Sequence, residues 1–204
     1  MNGAELFVDE LKQRGVTSVA VLCGHGLDPF SDACLEAGMR LVDVRNEQSA
    51  GYMAEAMGRL TRRVGVCAAS SGVAHANALT GLLNAKFDGA PVLLVTGSGS
   101  TETMGLGHFQ DVDQVAMAEP ICKFARIVDR PERIPQLVHQ AFTTALSGRP
   151  GPVHLTLPLN VQTAEVDPGC GGRAPRSQLS TVLPSAAAPG QVAQAVDLLS
   201  KAER

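Results

Sequence analysis

"MRLVDVRNEQSAGYMAEAMGRLT", residues 39–61, begins as an apolar run (39–44) and turns at once into a helix rich in small residues. Units of this kind recur along the chain. "VTSVAVLC" (16–23), "VGVCAA" (64–69), "PVLLVTG" (91–97), "CKFARIV" (122–128) and "GPVHLTLPL" (151–159) read as further strands. Helical patterns fall near 1–15, 28–37, 74–87, 112–118 and 131–147, the last entered through Pro131. Strands that are apolar throughout, each followed by a helix, require cover on both faces, which is the pattern of a parallel sheet. The expected fold is therefore α/β: a doubly wound, about six-stranded parallel sheet with helices on both faces, over residues 1–163. Binding crevices of such sheets lie at the carboxyl ends of the strands. Here that edge comprises segments 24–28, 45–48, 70–74, 97–111 and 158–160.

Beyond 163 the composition changes. Residues 164–190 are rich in Gly, Pro, Ser and Ala and read as a linker. Residues 191–204 read as the first amphipathic helix of a following domain, so the expectation is a truncated piece of a longer protein.

With 17 Lys and Arg against 20 Asp and Glu, the chain has a net charge of −3 and no basic run to track phosphates. One Tyr, six Phe and no Trp leave few platforms for base stacking. Nucleic acid and membrane are thus not expected partners, and a cytoplasmic location is. The five cysteines (Cys23, Cys34, Cys67, Cys122 and Cys170) show no metal or redox spacing and read as reduced packing residues, with Cys170 exposed. No metal ligands are expected in this chain.

Glu47 has two readings. At a helix start the macrodipole favours its charged form by up to about 1 kcal/mol. Dry surroundings built from Val42, Val44, Ala50 and Met53 would work the other way, by desolvation. The residue is either a solvated helix-start Glu or a proton donor in a cleft.

Five motifs in order bear on that choice. "RNEQSAGYMAEAMGRLT" (45–61), "SSGVAHAN" (70–77), "FDGAPVLLVTG" (87–97), "GLGHFQDVDQ" (105–114) and "GRPGPVHLTLPLNV" (148–161) resemble the N-terminal, pyrimidine-binding domain of thiamine-diphosphate enzymes related to acetolactate synthase and the 2-oxo-acid decarboxylases. The resemblance covers roughly residues 1–163. It implies that the Glu47 carboxyl group bonds to the pyrimidine ring of thiamine diphosphate and, by giving a proton there, assists formation of the cofactor's ylide. A carboxyl group doing this near neutral pH needs an apolar pocket. The resemblance also makes Ser71, Gly72 and Asn77 candidates for cofactor binding, and Phe109 and Gln110 candidates for bordering the substrate pocket. His25 and His108 join them as substrate candidates from their places near the crevice. His75, His139 and His154, on predicted helices and the last strand, read as structural.

The chain also departs from the pattern. Asn46 matches the Asn-Glu form of decarboxylase-like members, while "HFQDVD" leans to the synthase and lyase branch. Val73 and Ala74 stand where the family has Pro-Gly, and "CGHGLDPF" lacks the usual Gly-x-Pro-Gly. The Gly-Asp-Gly stretch that binds Mg²⁺ and diphosphate in the family does not occur, so those ligands are expected outside this chain, in the diphosphate-binding domain of a second subunit. The implied partners are a 2-oxo acid or related acyl donor and further copies in a homo-oligomer, a dimer or tetramer. The implied reaction is decarboxylation or carboligation, with the chain inactive alone. The alternatives are a natural small subunit of a two-chain decarboxylase, a non-catalytic scaffold that kept the fold, and a plain nucleotide-binding domain.

Overall fold

Six short strands, β1 (Ser18–Leu22), β2 (Arg40–Asp43), β3 (Gly65–Ala69), β4 (Val92–Ser98), β5 (Phe124–Ile127) and β6 (Pro152–Pro158), form one sheet in the order β2-β1-β3-β4-β6-β5. Every pairing is parallel. The structure, a computed structural model, describes residues 1–167, 169 and 186–203. Cys170 and most of the expected linker lie outside the described residues.

Alternation along the strands divides the core in two. Val19, Val21, Val66, Leu93, Val95 and Leu155 face one layer, with Phe7, Leu11, Phe30, Leu137 and Val161 from the helices α1 (Gly3–Gln13), α2 (Asp28–Glu36), α6 (Ile134–Leu146) and α7 (Leu159–Thr163). Ala20, Cys67, Ala69, Val92 and Leu94 face the other, beneath α3 (Glu47–Thr61), α4 (Val73–Asp88) and α5 (Gln114–Ala118). The expected doubly wound α/β architecture is the one observed.

The second layer is built largely from alanine and glycine, and this sets how closely α3 and α4 approach. A Cβ on Gly81 would lie 2.5 Å from the carbonyl carbon of Gly51 and 2.7 Å from the Tyr52 nitrogen. The helices thus touch backbone to backbone at Gly51 and Gly81. Replacing Gly81 with Val should force the pair apart and cost ~1–3 kcal/mol by overpacking, measured as a lowered urea midpoint. An unchanged midpoint would contradict the close contact.

Several boundaries differ from the sequence reading. The helix expected at 131–147 opens with a separate 3₁₀ turn, Pro131–Arg133, before α6. Pro135, in the first turn of α6, has no N–H to give there and fits that position. The strand expected to reach 159 stops at Pro158, and Leu159 starts the short α7, whose five residues are too few to show a helical period. Chain contacts run past 163: Val166, 7% exposed, donates its N–H to the Met1 carbonyl at 2.9 Å. A further helix, α8 (Pro189–Lys201), buries none of its residues.

Candidate functional site

Because all six strands are parallel, their carboxyl ends share one edge, and the loops that leave it carry the candidate residues. Glu47 is the first residue of α3, which Asn46 caps by accepting the Gln48 N–H at 2.8 Å. Glu47 and Asn77 each stand one turn before the glycine at which their helices touch, Gly51 and Gly81 respectively. The backbone contact therefore sets the two side chains face to face. Asn77 Nδ2 donates to Glu47 Oε2 at 3.0 Å. Among the described residues, Glu47 Oε1 makes no hydrogen bond.

The surroundings of this pair are dry on one side only. Val44 is 7% exposed and Ala50 1%, Glu47 itself is half-buried, and Met53 is 39% exposed. The apolar surface continues outward over α3 and α4, where Tyr52, Met57, Leu60, Leu83 and Phe87 all stand exposed. Exposed apolar side chains gathered on two neighbouring helices suit an interaction surface.

A second group gathers around a cavity of about 270 Å³ at the ends of β4 and β6, lined by His25, Ser98, Met104, His108, Phe109 and Gln110 among others. The His25 and Phe109 rings meet edge to face, with centroids 5.4 Å apart. Asp111 lies at its rim and accepts the Gly107 N–H at 3.0 Å. Backbone N–H groups of Gly105 and Gly107 hold its carboxyl below the usual carboxylate range. Neither Glu47 nor Asn77 lines this cavity. The two groups meet through the turn before α4, where Ser71 Oγ donates to Gln110 Oε1 at 2.9 Å.

That turn is fully engaged from within. Ser71 N–H donates to the His25 carbonyl at 3.3 Å, and Gly72 N–H to Gln114 Oε1 at 3.0 Å. Ser71 is 2% exposed, so these two amides are spent inside the chain. The candidates named from sequence thus fall into a Glu47–Asn77 pair, a His25–His108–Phe109–Gln110 cavity, and a buried Ser71–Gly72 link between them.

Sequence reasoning passed over Gln114. Buried at 5% exposure, its side chain joins β4 and β6 to the α4 turn. Nothing in the local pattern separates a buried Gln from an exposed one at a helix start. His75 and His154 are both fully buried, with ring centroids 4.6 Å apart. Burial lowers the His75 pKa to about 4, a nearby backbone group of Gln114 partly offsetting it. His154 is lowered well below the usual range by burial and then by the neighbouring His75. Their structural reading fits this placement, away from the edge cavity. Burial pushes the Cys34, Cys67 and Cys122 thiols up to about 12, so they pack as small apolar groups. Among the described residues no group of three His, Cys, Asp or Glu is placed to hold a metal ion, and no helix is long and apolar enough to cross a membrane.

The sequence of this parallel-sheet domain matches a known family. Residues 1–117 match the family model described as thiamine pyrophosphate enzyme, N-terminal TPP binding domain, and the chain belongs to that family. It is 36% identical over 167 residues, 82% of its length, to a probable acetolactate synthase large subunit of Methanocaldococcus jannaschii. It is 36% identical over 167 residues to the acetolactate synthase isozyme 2 large subunit of Escherichia coli, again 82% of this chain, and 39% identical over 160 residues, 78% of this chain, to 2-hydroxyacyl-CoA lyase 2 of Bos taurus. The matched regions span 28%, 30% and 25% of those three relatives, in the order given.

Proposed function

We propose that this chain is the pyrimidine-binding part of an acetolactate-synthase-like enzyme, in which Glu47 is the activating acid for decarboxylation or carboligation of a 2-oxo acid or related acyl donor. The observation that carries the reading is the Asn77–Glu47 hydrogen bond at 3.0 Å on the carboxyl edge of the sheet. It occupies one carboxyl oxygen and holds the plane of the group, leaving Oε1 for a ring nitrogen. A half-buried carboxyl group with one committed and one uncommitted oxygen fits the pyrimidine end of thiamine diphosphate.

When bound, the cofactor supplies the carbanion-stabilising chemistry. This chain's share is to hold a proton at Glu47 Oε1, to fix that group through Asn77, and to seat Asn77 through the Ser71–Gly72 turn. The cavity around His25, His108, Phe109 and Gln110 is the proposed substrate side. His108 there would polarise a carbonyl, and Phe109 would exclude water.

Mg²⁺ and the diphosphate are assigned to residues outside this chain, in a second subunit. The exposed apolar face of α3 and α4 is the proposed seat of that partner, whose docking would dry the open side of Glu47. In this reading α8 opens a further unit.

The reading is tested by mixing thiamine diphosphate, Mg²⁺ and pyruvate with two samples. The 204-residue chain alone should show no turnover, and the complete protein should bind the cofactor. Turnover by the chain alone would refute the half-site. A complete protein that does not bind thiamine diphosphate would refute the family chemistry.

A further inference from the structure

Gln114 is the most heavily used buried polar side chain at the carboxyl edge. It is the first residue of α5, at the end of the loop that carries His108, Phe109 and Gln110. Its Nε2 lies 3.1 Å from the Gly97 carbonyl, 3.2 Å from Thr96 Oγ1 and 3.3 Å from Thr156 Oγ1, so two hydrogens are shared among acceptors on β4 and β6. Its Oε1 accepts the Gly72 N–H. Thr96 passes the chain on to His154 Nε2 at 2.8 Å.

Gly72 has a particular need for that acceptor. It is the N-cap of α4, with φ 60°, and no side chain caps the helix there. A Cβ on it would lie 2.6 Å from Gln110 Cβ, so the incoming loop sits directly on the turn. Without Gln114 its buried N–H would have no partner, a state that folded proteins avoid. The start of α4 is thus referenced to the two central strands through one side chain. Asn77 stands five residues further along the same helix.

We propose that Gln114 is a positioning residue: by clamping Gly72 to β4 and β6 it fixes the start of α4, and so the placement of Asn77 against Glu47. The assignment rests on the function proposed above for Glu47, but the clamp itself does not.

The test uses hydrogen exchange on the complete protein, together with its affinity for thiamine diphosphate in the presence of Mg²⁺. In Gln114→Met, which keeps length but loses every hydrogen bond, amides 72–77 should exchange at least about tenfold faster. The amides of β4 and β6 should keep their protection, and the cofactor should bind at least about tenfold more weakly, the loss of one charge-assisted hydrogen bond. Gln114→Glu keeps an acceptor for Gly72 but loses the donor to β4 and β6. It should therefore weaken cofactor binding as Gln114→Met does, and native-like affinity in it would overturn the clamp to the strands. Unchanged exchange at 72–77, a uniform rise over the whole sheet, or full cofactor affinity in Gln114→Met would overturn the proposal. If neither variant folds, the native protein decides. A Gly72 amide as protected as the interior of β4 supports the clamp, and one exchanging like an open loop overturns it. Glu47→Gln, run in parallel, separates the two claims. Native-like cofactor binding and turnover in that variant would refute the reading of Glu47, yet leave the Gly72 measurement standing.

Discussion

Glu47→Gln in the complete protein should lose about 10²–10⁴-fold in turnover, the usual contribution of a positioned general acid or base, or roughly 3–5 kcal/mol of transition-state stabilisation. Gln keeps the length, the volume and an oxygen able to accept from Asn77. It cannot carry an exchangeable acid proton. The fold should therefore survive, because the residue is half-buried and its bond from Asn77 can still be made. Turnover and unfolding midpoint measured together separate loss of chemistry from loss of structure. A variant with native turnover would show that Glu47 is not the activating acid.

The second large effect concerns stability and acid. His75 has a pKa of about 4 in the folded chain against 6.5 for the free side chain. The unfolded chain therefore binds more protons between those two values, and stability falls as pH drops through that window. For His75 alone the loss is about 3 kcal/mol, complete near pH 4, below which the folded state protonates as well. His154 shifts in the same direction and adds to the loss. Neither ring nitrogen of His75 has a hydrogen-bond partner among the described residues. His75→Leu should thus cost little at neutral pH and flatten the acid limb of the stability curve. Urea midpoints at pH 7.5 and 4.5 for the two proteins measure this directly. Parallel losses in both would show that these histidines are not the groups that titrate.

The two effects arise in different layers of sequence information. The sheet was legible because the central strands β1, β3, β4 and β6 are buried on both faces and helices follow the strands, whereas the edge strands β2 and β5 keep Arg40, Asp43 and Arg126 exposed. The place of Glu47 was legible because a residue at the start of a helix that follows a parallel strand lies at the carboxyl edge, while its role came only from the family resemblance. Its bond to Asn77 was not, since that depends on Gly51 and Gly81 allowing two helices to touch, and a glycine inside a helix has no signature of its partner. Gln114 was hidden for the same reason. Its four neighbours come from β3–α4, β4 and β6, and only the folded sheet brings them within 3.3 Å. The short α7 was missed because the strand pattern ran into it without a break.

The turn at Ser71–Gly72 shows how the sequence expectation changes meaning in the fold. A small-residue turn before a helix suggests free amides for a ligand. Here both amides are taken up by His25 and Gln114, so the turn serves as a fixed support for α4. The polar side chains that can still meet a ligand include Glu47, His25 and His108.

The most direct measurement is a crystal structure of the complete protein with thiamine diphosphate and Mg²⁺ bound. The account predicts the Glu47 carboxyl group in hydrogen-bond contact with the pyrimidine ring, Asn77 still on its other oxygen, and the diphosphate held by a different subunit. A cofactor seated elsewhere, with Glu47 facing open solvent, would contradict it.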